Sequence, residues 1–308
     1  ATMRILHVPL LHVRPPSALL IFALIDMSVA FLPTERYSSI GCTACPNSYR
    51  NRKIRLHDES TSSHDTFDWT NQWYPLAPIQ DLDPGGPNKL TLLGVDLVVW
   101  RSRDFLSDEM VDIRWNAFRD VCPHRLVPLS EGRLDTTAEG ETVLQCAYHG
   151  WEFDYKGKCA GIPQVSFASS AIDSPRACAT SFHTKEEQGL LWVFPNADAL
   201  ETVSQQPLPL IAELDDKDKI DATNFYCRDL PYDVSILIEN LCDPSHIPFA
   251  HHEMMAGADR EDVNPIDMEI VEERDDGFLA KKTPYPKGKG RYDVKFQAPC
   301  LLYYTIVD

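Results

Sequence analysis

A chain of 308 residues with 44% hydrophobic and 10% aromatic content can bury sizeable cores and has room for two domains. Its net charge of −17 is uneven, because residues 1–64 hold 7 Lys/Arg against 4 Asp/Glu and the rest holds 22 against 42, a net −20. Nucleic acid is thereby excluded as a partner, since phosphate neutralisation needs clustered Lys/Arg. The nine cysteines show no paired spacing beyond Cys42-x-x-Cys45, so they do not read as a disulfide framework. A reducing compartment fits them better.

The N-terminus reads as an address. Arg4 and Arg14 precede an apolar run over 17–25, and Ser28-Val-Ala30 closes it with small residues. Residues 1–30 are therefore signal-peptide-like, with a buried strand or helix as the alternative. Between Phe31 and His64 there are nine Ser/Thr and five Lys/Arg but three acidic residues. That composition makes 31–66 transit-peptide-like and disordered. The succession of the two, with Phe31 at the junction, resembles the bipartite leaders of algae with secondary plastids.

Many short strands with Gly/Pro turns predict an antiparallel β domain over 67–195. Leu90 to Trp100 reads as two strands around Gly94-Val-Asp96, and 111–121 alternates into a loop. Val143 to Cys146 enters a second loop and Trp151 to Tyr155 leaves it, while Gly189 to Phe194 closes the domain. The polar stretch Asp135 to Glu141 is a hairpin tip, where extra length is tolerated. Residues 196–224 form a linker with Pro207, Pro209 and a charge run. Residues 225–308 open a second, α+β domain, with a helix at Ile236–Leu241 and strands at Met268–Glu272, Tyr292–Gln297 and Cys300–Val307.

The first domain carries Cys122-Pro-His124 and Cys146-Ala-Tyr-His149-Gly150-Trp151. Two thiolates and two imidazoles satisfy a Rieske [2Fe–2S] centre, which takes two Cys on one iron and two His on the other. Zinc also accepts two Cys and two His, but its sites usually pair like with like in sequence. The second domain carries Glu239-Asn240-Leu-Cys-Asp243-Pro-Ser-His246, then His251 and His252. His246 and His251 can converge on one ion, as two members of a 2-His-1-carboxylate iron site.

The order C-x-H, C-x-x-H-G-W, then N-x-x-D-x-x-H-x-x-x-x-H resembles the Rieske-type non-haem iron oxygenases. Asn71-Gln-Trp-Tyr-Pro75, Asp120 to Leu126, Gly161-Ile-Pro-Gln164 and Glu239 to His252 resemble the pheophorbide a oxygenase group of plastids. Its relatives are a translocon-associated Rieske protein, protochlorophyllide-linked oxygenases and, more distantly, chlorophyllide a oxygenase. The resemblance implies an antiparallel β Rieske domain followed by a partial α+β helix-grip catalytic domain. It implies Cys122, His124, Cys146 and His149 as cluster ligands and His246 and His251 as ligands of a mononuclear Fe(II). Asp243 would bridge a cluster histidine of one subunit to an iron histidine of the next, and Asn240 would sit beside the iron.

By the same resemblance the chain is an O2-dependent oxidoreductase acting on a chlorophyll-derived tetrapyrrole, pheophorbide a or chlorophyllide a. Ferredoxin is the implied electron donor, and a homotrimer in a plastid, at the envelope or thylakoid membrane, is the implied setting. Arg114, Arg119, Arg125 and Arg133 are candidates for donor docking. The alternative is a non-enzymatic Rieske electron-transfer or redox-sensing protein of the plastid import machinery. One departure stands out. The family's third iron ligand, a carboxylate, lies more than a hundred residues beyond the histidine pair, and Asp308 is 57 residues after His251. Asp259, Asp262, Asp267, Asp293 and Asp308 do not match that position. The expectation is a truncated catalytic domain, with membrane segments in the part not present.

Overall fold

The computed structural model describes residues 3–12, 18–26, 67–107, 110–165, 170–215, 226–230, 233–254, 259–263, 265–282 and 291–307. The transit-like segment 31–66, with Cys42 and Cys45, lies outside them. Two compact units result, one from 31–208 and the other from 1–30 with 209–308.

The first 30 residues hold two strands, the alternative to the leader reading. They contribute strands β1 (Met3–His12) and β2 (Ala18–Asp26), which pair with each other antiparallel. An apolar run suited to a signal peptide is equally suited to a buried strand, and composition alone does not separate the two.

The unit 31–208 holds β3 (Tyr74–Pro78), β4 (Asn88–Leu92), β5 (Val95–Ser107), β6 (Met110–Arg119), β7 (Arg133–Thr136), β8 (Thr142–Gln145), β9 (Glu152–Phe153), β10 (Cys159–Gly161), β11 (Ser181–Glu187), β12 (Leu190–Phe194) and helix α1 (Leu200–Gln205). Six strands form one antiparallel sheet in the order β3-β12-β11-β6-β5-β4, and four form another in the order β10-β9-β8-β7. Two-residue turns at Leu93–Gly94 and Gln188–Gly189 lie in the left-handed region, the twist that closes tight hairpins. The expected strands are present, and β5 with β6 extends into a longer ribbon than the sequence suggested. The hairpin tip at 137–141 is closed by Thr137 N–H donating to the Glu141 carbonyl at 2.9 Å.

Trp73, Tyr74, Trp100, Phe118, Phe153, Trp192 and Phe194 are fully buried. Each such side chain stabilises the fold by roughly 1.5–3 kcal/mol relative to exposure. The unit runs past the expected boundary at 195. Trp73 Nε1 donates to the Gln206 carbonyl at 3.1 Å, and Asn196 Nδ2 donates to Asn71 Oδ1 at 2.8 Å. Residues 196–206 are thus fastened to the β domain, and the linker reading fails there because a buried indole needs an acceptor. Cys178 is disulfide-bonded, while Cys122, Cys146, Cys159 and Cys242 are in the thiol form. The sequence reading assigned no disulfide.

In the other unit, β13 (Tyr226–Leu230), α2 (Val234–Cys242), α3 (Ile247–Ala250), β14 (Met268–Arg274), β15 (Gly277–Lys282), β16 (Arg291–Gln297) and β17 (Leu301–Val307) follow in order. Its sheet runs β13-β1-β2-β17-β16-β15-β14. Helix α2 starts at Asp233, whose carboxylate accepts the Ser235 N–H at 2.9 Å, and buries Val234 and Leu237 on one side. Asp243 and Pro244 end it.

The turn before β7 tolerates no side chain. A Cβ at Gly132 would lie 2.2 Å from the Gln145 carbonyl oxygen and 2.9 Å from that of Leu129. Gly132→Ala should therefore destabilise the domain by about 3 kcal/mol. Chemical denaturation measures it, and an unchanged midpoint would contradict this packing.

Candidate metal centres

Two loops at the ends of β6 and β8 share one hydrogen-bond frame. Cys122 N–H donates to the Val127 carbonyl at 2.8 Å, and Leu126 N–H returns to the Cys122 carbonyl at 2.8 Å. Cys146 N–H donates to the Trp151 carbonyl at 2.8 Å, and Gly150 N–H returns to the Cys146 carbonyl at 3.0 Å. The fifth residue of each loop is left-handed, Leu126 at φ 59° and Gly150 at φ 72°. Gly150 meets that demand without strain. Leu126 does not, and a left-handed L-residue costs roughly 1–2 kcal/mol.

This frame sorts the donors by type. Cys122 and Cys146 are buried, with their thiols in hydrogen-bonding contact. They sit in a core with Trp100, Phe118, Leu144 and Phe153. His124 and His149 lie beyond them, ring centroids 4.6 Å apart, with His124 exposed. The His124 ring stacks on Trp151 at 4.6 Å and 8° between planes, and His149 lies against Tyr148 at 3.9 Å. Donors that alternate along the chain are thus separated in space, sulfur inside and nitrogen outside. That arrangement fits a binuclear cluster whose two irons take different ligands.

Burial pushes the Cys122 thiol up to about 11, with the neighbouring Cys146 adding to it. Desolvation, then the adjacent His149, holds His124 below the usual imidazole range. Both directions keep Cys122 and His124 uncharged until a metal displaces the thiol proton.

Several supports were not legible as such. Asp120 is buried and accepts from Ser130 N–H at 2.7 Å and from Ser130 Oγ–H at 2.6 Å, bracing the first loop. Gln164 Nε2 donates to the His149 carbonyl at 2.9 Å, bracing the second. The Gly161 to Gln164 stretch was visible only as part of a resemblance, and this bond gives it a physical task.

In the other unit His246 and His251 come together, ring centroids 5.3 Å apart. His246 ends the short helical turn begun by Pro244, and His251 follows α3. His246 Nδ1 is buried without a hydrogen-bond partner and lies 3.6 Å from Asp243 Oδ2. Ser245 hydroxyl and N–H both donate to Asp243, and with His246 nearby these hold its carboxyl below the usual range. Asn240 is exposed on α2, its carbonyl accepting the Asp243 N–H at 3.3 Å. The donor types fit iron. Among the described residues no carboxylate completes a close three-donor set with His246 and His251. The group that does form one is His252, Asp259 and Glu261, whose ligand atoms lie within 4.8 Å of one another at an exposed loop. Arg260 N–H donates to His252 Nδ1 at 3.3 Å.

Comparisons with known proteins follow the same division. Residues 72–171 match the family model of the Rieske [2Fe-2S] domain, and residues 232–305 match that of the vanillate O-demethylase oxygenase C-terminal domain. The chain is 40% identical over 237 residues to a chloroplastic pheophorbide a oxygenase of Arabidopsis thaliana, covering 76% of this chain and 41% of that protein. It is 36% identical over 259 residues to a chloroplastic flavonoid 8-hydroxylase 2 of Ocimum basilicum, covering 79% of this chain and 45% of that protein. The chain thus spans less than half the length of these relatives. Among solved structures, NdmB of Pseudomonas putida CBB5 matches with a TM-score of 0.53 and 23% identity over 77% of this chain and 73% of that one.

In the metal-free chain, alkylation of Cys122 should be slow at neutral pH. Its pKa is raised, so the thiolate fraction stays small until the pH approaches about 11. A reactivity profile with an apparent pKa below 9 would contradict the burial of this thiol.

Proposed function

The chain belongs to the Rieske-type non-haem iron oxygenases, in the group of pheophorbide a oxygenase, and from that premise we propose that it oxygenates a chlorophyll-derived tetrapyrrole, pheophorbide a first among them. Ferredoxin is the proposed electron donor. The observation that carries the reading is the sorting of donors, Cys122 with Cys146 inside and His124 with His149 outside, in one chain with the His246 and His251 pair.

When bound, the cluster supplies one-electron transfer and the mononuclear iron supplies reductive activation of O2. Cys122 and Cys146 would hold the cluster's inner iron, and the apolar core around them excludes water from the sulfur end. His124 and His149 would hold the outer iron, with Trp151 fixing the His124 ring plane. His246 and His251 would hold the mononuclear iron. Asp243 is poised as an acceptor, because Ser245 keeps it ionised. In a homotrimer it would accept from the cluster histidine of a neighbouring subunit, orienting two histidines with one carboxylate. Leu126 and Tyr148, 73% and 60% exposed beside the cluster histidines, offer apolar surface for such a contact.

A plastid location is proposed from the chloroplastic relatives. The leader reading of 1–66 remains part of that proposal. Among the described residues no helix is long and apolar enough to cross a membrane. A second reading, an electron-transfer protein without working mononuclear iron, is favoured by one observation. No described carboxylate joins His246 and His251 in a close donor set.

Iron content separates the two readings. The loaded wild-type chain should carry more than two irons, and His246→Ala should reduce the count to the two of the cluster. A wild-type count of two would favour the carrier. Asp243→Asn should retain all iron and lower substrate oxidation by about ten- to a hundredfold. Undiminished turnover would remove its bridging role.

A further inference from the structure

The unit 31–208 has a polar groove of about 460 Å³ lined by residues of β6 and β11, with Arg114, Tyr155, Lys156 and Lys185 beside Asp112 and Glu186. Its charges are unusual for a chain of net −17. With Arg114 and Asp112 paired to each other, Lys156 and Lys185 stand with Glu186 among the described lining. Asp112 is taken by its ion pair with Arg114, and Glu186 accepts the Trp115 N–H at 3.2 Å. Lys156 and Lys185 are both exposed.

Aromatic rings hold the cations in place. The Arg114 guanidinium lies 4.1 Å from the Tyr155 ring centroid and the Lys156 ammonium 5.1 Å from it. The Lys185 ammonium lies 4.8 Å from the Trp73 ring centroid. Cation–π contacts of this kind reduce the side-chain freedom lost when an anionic partner arrives. Tyr155 also packs against the core that contains Cys122 and Cys146. Through Tyr155 the groove is one ring away from the packing around the cluster thiols.

We propose that this groove is the docking surface for an acidic one-electron carrier protein of the ferredoxin type, with the exposed Lys156 and Lys185 facing its carboxylates. The inference rests on the ferredoxin reading above and gives it a location. A local cationic patch on an acidic body concentrates attraction at one place, while the rest of the surface repels the same partner. Of the four arginines considered for docking from sequence, Arg114 is the one in the groove. Arg133 lies outside it, paired with Asp135 at 3.2 Å.

The test is the affinity of the full chain for an oxidised plant-type [2Fe–2S] ferredoxin, measured by calorimetry at several salt concentrations. Wild type should bind, and more weakly as salt rises. The double variant Lys156→Glu with Lys185→Glu should weaken binding at least about tenfold and flatten the salt dependence. Both lysines are exposed, so its fold should match wild type by circular dichroism. Arg133→Glu should bind as wild type does. Equal affinity of the double variant and wild type would overturn the groove assignment and leave the ferredoxin reading intact. Absence of wild-type binding at low salt would overturn both.

Discussion

Two thiols that must give up their protons to bind a metal are buried side by side. Cys122 and Cys146 sit at the centre of the β domain among Trp100, Phe118 and Phe153. Burial raises the Cys122 pKa to about 11, so a free thiolate is disfavoured there. A metal cluster resolves the conflict, because its positive charge replaces the lost protons in the same dry site. Much of the domain serves that arrangement. The duplicated loop frame fixes both cysteines, Asp120 and Gln164 brace the loops from outside, and Trp151 sets the ring that leaves the core.

The left-handed residue at the fifth place of each loop turns the chain back so that its N–H reaches the carbonyl of the cysteine at the first place. In the second loop a glycine stands there. In the first, Leu126 does, exposed beside His124. A residue kept in an unfavourable backbone region at a surface edge suits a place where its side chain meets a partner. This links the local strain of the loop to the intersubunit contact proposed for the oxygenase.

How far the sequence could be read depended on the range of the information. The ligand spacings are local, so Cys122, His124, Cys146 and His149 were legible, and the structure brings them together. The strands β4, β5, β6, β8 and β12 alternate or run apolar between turn residues, and they were legible too. β15 was not, because Gly277-Phe-Leu-Ala-Lys-Lys282 has neither pattern. The supports Asp120 to Ser130 and Gln164 to His149 depend on chain folding back over ten or more residues, which spacing does not encode. Residues 1–26 were ambiguous for a different reason. Signal-like and strand-like apolar runs have the same composition, and the pairing of β2 with β17 bridges nearly the whole chain. The carboxylate partner of His246 and His251 is not found by either route among the described residues.

The account turns on sulfur and nitrogen ligands being divided between two irons. A redox titration of the purified, loaded protein tests this most directly. Histidine ligation on one iron predicts a midpoint at about −150 mV or above, within the Rieske range. A midpoint near about −400 mV, the value of all-cysteine plant-type clusters, would contradict the ligand division. So would the absence of any redox-active iron, with zinc in its place.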